Sequence, residues 1–528
     1  MLFSFENLHR QYLNCRRNKR NTQNALRFEV EQEKNLLDLQ AALMDRTYRP
    51  ARSVCFFVQK PKLREIFAAD FADRVVHHVL IDHLERLWEP IFIHDSYACR
   101  KGKGVHAGVD RLARGIRQIT RNGRRPAWYL QLDIHNYFMS IDKAILMDLL
   151  APKIADEDAL WLTRVLVFHD CTERYVIKGD PGLLERMPPH KTLFHAPKGK
   201  GLPIGNLNSQ FFANVYLNVL DQFVKHELKC RYYWRYCDDV VMLSEDPHEL
   251  CAWRERIRTA LRERLALELN PKRERLRPVA DGVDWLGYIV RGDYRLVRRR
   301  VIGALKDKLH AARAVLVHPG AEHDRYSFDR EPLDRLHASL ASYLGHCLRA
   351  RARTLWRSLW CEHAWLAEYF VMDWERLRLA RRYLPPDGAA SVAHQYRAYR
   401  ARYRHDVLLF QVGCFFEFYA AADAEIAQIL GLRPIGPNPR GARFGVPARQ
   451  STAILQRLLR RGRSVVWIAE TADSVTPIKS RVIRDRYRPH FAQDTVAVDP
   501  EGDHRKGVII QHAATAAAWR LVAESCKT

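Results

Sequence analysis

The stretch that decides the fold is RYCDDVVML at residues 235–243, in which Asp238 and Asp239 stand between a short aromatic run and an apolar one. Short runs rich in aromatic and β-branched residues are typical of buried strands. A further aspartate, Asp133, stands near the end of a second strand-like run, WYLQLDI at 128–134. A carboxylate at the end of an apolar strand is costly to desolvate unless a cation is bound. The three aspartates therefore predict a site for hard divalent metal ions, and the alternative is a hairpin whose Asp-Asp pair only forms the turn.

The chain carries a large excess of positive charge. Its 528 residues include 86 Lys and Arg against 61 Asp and Glu, which gives a formal net charge of +25 at pH 7. This balance is unlike that of enzymes acting on small neutral metabolites, and it favours a polyanionic partner, nucleic acid ahead of a membrane surface. Apolar residues make up 47% of the chain, enough for sizeable cores. At roughly 150 residues per domain, the length predicts two to four domains.

No targeting or disulfide signal is present in the sequence. No run approaches the roughly 18 consecutive apolar residues of a membrane span, and the start MLFSFENLHR turns polar too early for a signal peptide. Eleven cysteines are scattered from Cys15 to Cys526 without a CxxC pair, which argues against a disulfide framework and a zinc ribbon. We expect a cytoplasmic protein with buried thiols and no membrane partner.

The order of segments predicts a mixed α/β protein of several domains. Up to about residue 290, strand-like and helix-like segments alternate, with a helix over 206–225. Residues 298–383 have a helical pattern with many basic residues, which suits an element lying on a phosphate backbone. Two prolines and a glycine in 384–390 predict a linker. Beyond it we expect strands and a helix at 407–412, 465–469 and 423–430.

Seven segments of the first 300 residues, in content, order and spacing, resemble the motifs of prokaryotic reverse transcriptases. They are KLREIFAADFADRVVHHVL (62–80), DSYACRKGKGVHAGVDRL (95–112), YLQLDIHNYFMSID (129–142), GLPIGNLNSQFFANVYLNVLD (201–221), RYCDDVVML (235–243), LELNPKRERL (267–276) and DWLGYIV (284–290). The first two look like fingers motifs and the others like palm motifs. The resemblance implies an α/β right-hand polymerase with fingers, a palm and a helical thumb, and chance agreement of seven ordered motifs is negligible.

The resemblance also implies a catalytic centre. Asp133, Asp238 and Asp239 would be the catalytic carboxylates. Two Mg²⁺ ions, for which Mn²⁺ can substitute, would be held by Asp133, Asp238 and the carbonyl of Ile134. Held in this way, the ions would activate a primer 3′-hydroxyl and stabilise the leaving pyrophosphate. Phe138 matches the steric gate whose ring excludes a ribose 2′-hydroxyl.

Further positions carry over as contacts to nucleotide and nucleic acid. Arg64, with Lys60 or Lys62, would hold the triphosphate, since a guanidinium contacts phosphate oxygens in a bidentate manner. Lys272 falls where the family places a basic residue near the pyrophosphate, and a solvated loop lysine is the alternative. The remaining positions are Ile204 and Gln210 at the nucleotide, and Arg100 with the primer-grip residues Trp285 and Gly287 at the nucleic acid.

The segment IGNLNSQ at 204–210 favours one subgroup. Many reverse transcriptases have glutamine where Ile204 stands, and group II intron enzymes commonly end this motif in Ser-Pro. The pattern here resembles the enzymes of diversity-generating retroelements, which copy a template RNA with frequent errors at adenines. An apolar side chain contacts the nucleotide sugar without a hydrogen bond. We therefore expect weaker discrimination against a mispaired nucleotide. Cys237 departs from the family's usual methionine. The sequence shows no Val-Thr-Gly segment, which retron enzymes have in the thumb, and neither the HNH nuclease nor the longer DNA-binding extension of group II intron maturases.

Residues 394–490 carry a second resemblance. The segments HQY (394–396), DVLLFQVGCFFEFY (406–419), DAEIAQILGL (423–432), GVPA (445–448) and GRSVVWIAET (462–471) are similar to the N-terminal mismatch-recognition domain of the MutS family. That family's Phe-x-Glu motif matches Phe415 and Glu417, which would wedge into a weakened duplex and hydrogen-bond a base. The alternative is that the phenylalanines are core residues. No GxxxxGK[ST] occurs, so the MutS ATPase is absent.

The sequence thus predicts five regions: fingers and palm at 1–300, a helical thumb at 301–383, a linker at 384–390, a mixed α/β MutS domain I-like module at 391–495 and a tail at 496–528. The resemblance implies an RNA-directed DNA polymerase making error-prone cDNA for targeted gene diversification. Its partners would be template RNA, primer or target DNA and an accessory protein of the retroelement. An antiphage defence reverse transcriptase is the first alternative. A non-catalytic nucleic-acid-binding scaffold is the second.

Overall fold

The computed structural model describes residues 1–17, 22–59, 62–385, 391–419, 423–434, 444–471 and 479–490. The chain divides into two compact units, Met1–Arg295 and Leu296–Thr528. Both units contain helices and strands, which confirms the mixed α/β, multidomain class. Among the described helices, none combines the length and apolar character needed to cross a membrane. The predicted tail and most of the predicted linker lie outside the described residues.

The first unit combines helices with three sheets. Its helices are α1 (Phe5–Arg16), α2 (Gln23–Val30), α3 (Gln32–Met44), α4 (Phe71–Trp88), α5 (Val105–Ile119), α6 (Tyr137–Ser140), α7 (Lys143–Leu150), α8 (Glu157–Phe168), α9 (Gly182–Glu185), α10 (Leu207–Gln222) and α11 (Pro247–Leu265). Its strands are β1 (Ser53–Val58), β2 (Arg64–Ala68), β3 (Trp128–Asp133), β4 (Tyr175–Lys178), β5 (Tyr232–Tyr236), β6 (Asp239–Ser244), β7 (Arg275–Pro278), β8 (Val283–Trp285) and β9 (Tyr288–Val290), with β10 (Arg295–Val297) at the boundary. Short 3₁₀ turns occur at Ala151–Lys153, Pro189–Lys191, Leu193–His195, Pro271–Arg273 and Val279–Asp281, and a π turn at Phe223–Glu227.

A four-stranded antiparallel sheet in the order β5-β6-β3-β7 positions the acidic residues. Side chains alternate between the two faces of a strand. Leu130, Leu132 and Met242 lie on one face and share the main core with apolar residues of α10 and α11. Asp133 pairs directly with Asp239 on the opposite face. The apolar core therefore fixes the register that brings the acidic strand ends together.

Local signals in the sequence explain where the flanking helices begin. The carboxylate of Asp246 accepts a hydrogen bond from the His248 amide at 2.8 Å, and Pro247 occupies the first helical position of α11. Both features are typical of helix N-termini. Asp142 caps α7 in the same way through the amides of its first turn. The predicted helix over 206–225 is present as α10 and its π turn.

A three-stranded sheet in the order β2-β1-β4 lies against the loop that precedes α10. The carbonyl of Ile204 accepts a hydrogen bond from the Phe67 amide at 2.9 Å. A Cβ added to Gly205 would stand 2.7 Å from the Phe67 carbonyl oxygen, and Gly205 has a φ of +125°. Only glycine fits such a backbone approach. Gly205 therefore allows the close contact that holds Ile204 beside Phe67, near the end of β2.

The second unit is also mixed. Its helices are α12 (Arg299–Leu316), α13 (Arg330–Cys347), α14 (Arg353–Glu362), α15 (Val392–Arg402), α16 (Ala424–Leu430) and α17 (Ser451–Arg460). Its strands are β11 (Val317–His318), β12 (His323–Ser327), β13 (Phe370–Asp373), β14 (Arg378–Arg381), β15 (Val407–Val412), β16 (Phe415–Phe418), β17 (Phe444–Pro447), β18 (Val465–Glu470) and β19 (Arg481–Pro489). Further 3₁₀ turns occur at Ala364–Glu368 and Ala448–Gln450. The strands and the helix predicted beyond the linker are present as β15, β18 and α16.

One sheet of this unit crosses the predicted domain boundary. Its order is β11-β12-β19-β18-β15-β16-β17, with β12 antiparallel to β19. The range 298–383, predicted to be helical, contains the helices α12, α13 and α14, and it also contains the strands β11 to β14, which were not predicted. β12 reads HDRYS and lacks an apolar alternation, so its strand conformation depends on its partner rather than on its own sequence. The predicted division at 384–390 stays a prediction, because the compact unit includes segments from both sides of it.

A buried ion pair also joins the two sides. The Arg486 guanidinium of β19 donates to the Asp406 carboxylate at 2.9 Å and contacts Glu368. All three side chains are buried. Breaking such a pair leaves an uncompensated buried charge, which is costly. Glu368 and Asp406, from opposite sides of the predicted linker, are thus held by one arginine.

Candidate active site

A cavity of about 560 Å³ opens where β3 and the β5–β6 hairpin end. Asp133 and Asp238 lie in its lining, together with residues at the start of β2, the short helix α6 and the turn before β7. Most of the residues predicted at the catalytic centre and the nucleotide line this cavity: Lys62, Arg64, Asp133, Ile134, Phe138, Ile204, Asp238 and Lys272. Segments more than 200 residues apart in sequence therefore meet at one place.

Asp238 stands on a tight turn that the rest of the unit holds in place. β5 and β6 pair directly across the two-residue turn Cys237-Asp238. Cys237 has a φ of +56°, a left-handed conformation that costs a non-glycine residue energy and is often found at functional sites. Its carbonyl accepts a hydrogen bond from Arg235 Nη1 at 3.1 Å. The Arg235 guanidinium is fully buried and pairs with Asp221 of α10 at 2.6 Å, so the core fixes the turn.

The carboxylate of Asp133 is held by two residues from the turn before β7. Arg273 Nη1 donates to Asp133 Oδ1 at 2.8 Å, and Asn270 Nδ2 donates to Oδ2 at 3.0 Å. The Asn270 amide also donates to the Asp133 carbonyl at 2.8 Å. The sequence did not predict a role for Asn270 or Arg273. The only signal was the run Asn-Pro-Lys-Arg at 270–273, in which Lys272 alone was given a role.

Asp238 lies in a poorly solvated position beside a second acid. Burial, followed by the negative charge of Asp133, raises the pKa of the Asp238 carboxyl. Two carboxylates that share a site disfavour each other's ionised form. A divalent cation bound to both would offset this repulsion. The electrostatics of the pair thus fit a cation site.

The donor set also fits magnesium. Mg²⁺ prefers oxygen ligands and is commonly held by one or two carboxylates together with substrate phosphates. Asp133 and Asp238 supply two carboxylates, and Ile134 lines the same cavity. Asp239 is not part of the lining, and its Oδ1 accepts a hydrogen bond from Gln131 Nε2 at 2.9 Å. Among the described residues, no group of three or more His, Cys, Asp or Glu side chains is placed to hold a metal ion.

The other predicted nucleotide contacts surround the two aspartates. Lys62, Arg64 and Lys272 line the cavity and are exposed to solvent. Phe138 and Ile204 are half-buried in the wall. Gln210 is exposed in the first turn of α10 and is not part of the lining, and Lys60 lies outside the described residues.

The cavity contains further residues to which the sequence assigned no role. His135 and His190 stack with ring centroids 6.1 Å apart, and both line the cavity with Lys191. Glu65 is buried in the floor, where its carboxylate accepts a hydrogen bond from the Leu193 amide at 2.9 Å. Histidines and a lysine of a loop carry no distinctive spacing, so only the three-dimensional structure assigns them to the site.

In the first unit, three residues were predicted to contact nucleic acid: Arg100, Trp285 and Gly287. The Arg100 side chain is only 6% exposed and pairs with Glu89 at 2.6 Å. Trp285 is fully buried, and a Cβ added to Gly108 of α5 would stand 3.2 Å from its ring. Gly287 lies in the turn between β8 and β9 with a φ of +93°. The buried Trp285 indole anchors the β8–β9 hairpin. A contact of this hairpin with a primer would therefore be made by its backbone atoms.

In the second unit the predicted Phe-x-Glu motif lies on the β15–β16 hairpin. Phe415 is 44% exposed, whereas Phe416 and Phe418, on the other face of the strand, are buried in the core. Glu417 is buried and its carboxylate accepts a hydrogen bond from the Tyr419 hydroxyl. The core alternative therefore applies to Phe416 and Phe418, and Phe415 is available for contact.

Comparison with protein families agrees with both resemblances. Residues 58–290 match the family model of reverse transcriptases, RNA-dependent DNA polymerases. Residues 390–486 match the family model of MutS domain I. The first match spans the candidate active site, and the second spans the β15–β16 hairpin.

Individual relatives are similar to this chain over part of its length. Protein YkfC of Escherichia coli (strain K12) is 26% identical over 285 residues, which cover 48% of this chain and 68% of that protein. The group II intron-encoded protein LtrA of Lactococcus lactis subsp. cremoris is 26% identical over 200 residues, 37% of this chain and 29% of that protein. The nuclear intron maturase 1, mitochondrial, of Arabidopsis thaliana is 29% identical over 247 residues, 39% of this chain and 34% of that protein. The chain thus spans about a third of the length of the two intron proteins.

The two aspartates on a tight hairpin and a neighbouring strand end, with basic residues around them, match the requirements of nucleotidyl transfer. With the family match over the same residues, they confirm the predicted activity class. The chain therefore carries a reverse transcriptase domain, that of an RNA-directed DNA polymerase, followed by a domain matching MutS domain I.

Proposed function

We propose that this chain copies a template RNA into error-prone cDNA for targeted gene diversification, and that its MutS-like domain binds the DNA with which the cDNA pairs. The observation that carries the polymerase part is the cavity shared by Asp133, Asp238, Arg64 and Phe138. Template RNA, primer or target DNA and an accessory protein of the retroelement are its proposed partners, in the cytoplasm.

The residues of the cavity divide the work of nucleotide addition. Arg64 and Lys62 bind the triphosphate, and Lys272 neutralises the leaving pyrophosphate. Phe138 lies against the sugar and leaves no room for a 2′-hydroxyl. When bound by Asp133 and Asp238, two Mg²⁺ ions supply Lewis-acid activation of the primer hydroxyl and charge stabilisation at the phosphate. Arg273, which contacts the Asp133 carboxylate at 2.8 Å, would compete with a bound Mg²⁺ for that carboxylate.

Ile204 is the observation that supports low fidelity. Its backbone is fixed against β2 by the hydrogen bond to Phe67, and its side chain lines the nucleotide cavity. An aliphatic side chain at this place cannot hydrogen-bond the nucleotide sugar, so a mispaired geometry loses no hydrogen bond. Selection by shape alone discriminates less than a polar contact does.

The experiment that tests catalysis replaces Asp238 by asparagine. Asp238→Asn keeps the shape of the side chain and removes a charge that is disfavoured by burial, so the fold is expected to persist. Loss of several kcal/mol of metal-dependent stabilisation lowers primer extension about a thousandfold or more. Extension of a primed RNA template in Mg²⁺ measures this. Asp148→Asn, at an exposed position of α7, is the matched control and keeps full activity, and normal extension by Asp238→Asn would contradict the assignment.

A second candidate function follows from the relatives. Similarity to the group II intron-encoded protein LtrA and to the nuclear intron maturase 1 supports a reverse transcriptase that copies an intron RNA. Such a role has no need of elevated errors at adenines. Fidelity therefore discriminates the two candidates.

The fidelity experiment uses Ile204→Gln. Restoring a polar contact to the nucleotide is expected to lower misincorporation opposite template adenines more than it lowers total synthesis. Ile204→Leu keeps an apolar side chain and serves as the control, with an unchanged error spectrum. Sequencing of the cDNA measures both quantities. Equal error rates at all four template bases in the unaltered protein would favour the intron candidate.

A further inference from the structure

A second cavity, of about 740 Å³, opens at the opposite end of β3. It is lined by the end of α5, the loop 120–127, Trp128 and the turn at 291–294. It shares no lining residue with the active-site cavity. β3 runs from Trp128 to Asp133, and a strand advances roughly 3.3 Å per residue, so the two ends lie about 17 Å apart. The second cavity is therefore separate from the site of nucleotide addition.

The lining of this cavity is basic. It contains the four arginines Arg117, Arg124, Arg125 and Arg291. Its single acidic residue is Asp293. Arg117, Arg124 and Arg125 are exposed to solvent. Arg125 has one acidic neighbour, Glu245, at 3.5 Å, and both side chains are about half exposed, so solvent screens that pair. The cavity thus attracts an anion.

Two of the arginines are held in place by backbone carbonyls. Arg117 Nη1 donates to the Gly292 carbonyl at 2.8 Å. Arg291 Nη1 and Nη2 donate to the carbonyls of Ala280 and Asp281 at 2.5 and 3.2 Å. Carbonyl oxygens fix a guanidinium without neutralising its charge. These contacts hold the positive charge of both guanidinium groups at the cavity.

The loop that carries the other two arginines has a fixed and strained backbone. Residues 121–123 all have positive φ, at 46°, 58° and 86°. Such conformations cost non-glycine residues energy and persist only where the surroundings impose them. The Thr120 hydroxyl accepts from the Gly123 amide at 3.0 Å, and the Arg125 amide donates to the Thr120 carbonyl at 2.9 Å. Arg124 and Arg125 are therefore presented from a defined turn.

Aromatic side chains complete the cavity. Trp128 and Tyr294 are half-buried in the lining, and the Arg291 guanidinium lies 5.6 Å from the centre of the Tyr294 ring. Aromatic faces beside arginines are how proteins bind single-stranded nucleic acid, since each base stacks and each phosphate pairs with a cation. The volume lies in the range of cavities that enclose a ligand of drug or nucleotide size. An acidic peptide would pair with the arginines and leave the rings without planar partners.

We propose that this cavity binds one or two nucleotides of a single-stranded nucleic acid segment outside the copied region. A template strand that extends beyond the active site is then held at two places. Binding at a second place raises the affinity for a long strand without a change in the chemistry of nucleotide addition. The proposal goes beyond the proposed function and does not depend on the fidelity or the target of the polymerase.

The test compares two primed templates that differ only in a single-stranded extension of about 20 nucleotides. Without nucleotides in solution, the full chain is expected to bind the extended template at least tenfold more tightly by fluorescence anisotropy. Replacing Arg124 and Arg125 together by alanine removes most of that gain. It also lowers the slope of the logarithm of the binding constant against the logarithm of the salt concentration by about 0.7, in magnitude, for each lost phosphate contact. Tyr294→Leu removes part of the gain through stacking. Primer extension on the short template stays unchanged, which separates this test from the test of catalysis.

Arg164→Ala combined with Arg262→Ala removes the same charge from exposed positions of α8 and α11 and keeps the gain. A 4-thiouridine in the extension is expected to crosslink to the peptide containing Trp128 or Tyr294. Extensions of RNA and of DNA distinguish the source of the strand, and a gain with either supports the proposal. A gain that survives in the Arg124 and Arg125 variant, or a site that only polyglutamate occupies, overturns it.

Discussion

Phe138 is the residue on which sugar selection is expected to depend. It lies in α6, half-buried in the wall of the active-site cavity, with its ring 5.5 Å from that of Tyr137. Phe138→Ala opens space beside the sugar C2′, so the preference for deoxynucleotides over ribonucleotides should fall on the order of 10- to 100-fold. Ratios of kcat/KM for the two nucleotides on one primed template measure it. Phe138→Tyr retains the ring and the preference, and an unchanged preference in Phe138→Ala would make the residue part of the core.

Single residues also show what sequence could predict and what it could not. The position of Asp133 and Asp238 at neighbouring strand ends was predictable, because a carboxylate at the end of an apolar strand conflicts with its surroundings, and their catalytic role stays a prediction. Arg273 was not, because a third basic residue in a basic run gives no sign of which side chain turns toward the acid. Arg100 and Trp285 were predicted to contact nucleic acid, which stays a prediction; the burial of both side chains was not predictable, since burial depends on distant segments.

The β15–β16 hairpin is the element on which mismatch binding should depend. Phe415 is exposed on its outer face while Phe416 and Phe418 anchor it in the core. Phe415→Ala in the full chain is expected to reduce the preference for a mismatched over a matched DNA duplex about tenfold, given the roughly 1–3 kcal/mol of base–aromatic stacking. Competition binding of the two duplexes measures this preference. Phe415→Tyr keeps a ring and serves as the matched control.

The full chain is required for this measurement because of β12. Residues 391–495 alone would lose the partner that covers β19 and the Glu368 contact of Arg486. An uncovered sheet edge and an uncompensated buried charge both destabilise a fragment. Equal binding of both duplexes by the intact protein, with Phe415→Ala folded and unchanged, would contradict the mismatch role.

At the level of elements, apolar strands were predicted well and polar ones were not. The apolar residues of β3, β15 and β18 are enough to predict these strands from the sequence alone. β12 is polar and forms through its pairing with β19, which lies more than 150 residues further along the chain. Tertiary pairing overrides local preference in such strands.

At the level of the whole molecule, charge sets how the protein meets its partners. The formal charge of +25 is spread over both units, and the active-site cavity and the cavity at the opposite end of β3 are both lined by arginines or lysines. Such a surface neutralises several phosphates at once and releases their counterions. Association is therefore expected to be fast and only weakly selective before the specific contacts form.

Affinity for a primed RNA template should therefore fall steeply with salt. With six or more phosphate contacts, the binding constant is expected to drop on the order of 10³-fold or more between about 50 and 200 mM salt. Titration of the full chain at several salt concentrations gives the slope of the logarithmic plot. The same plot for Asp238→Asn should have an equal slope, because that change affects the catalytic carboxylate and not the basic residues that contact phosphates. A flat plot would mean that a small specific pocket, rather than the positive surface, provides most of the affinity.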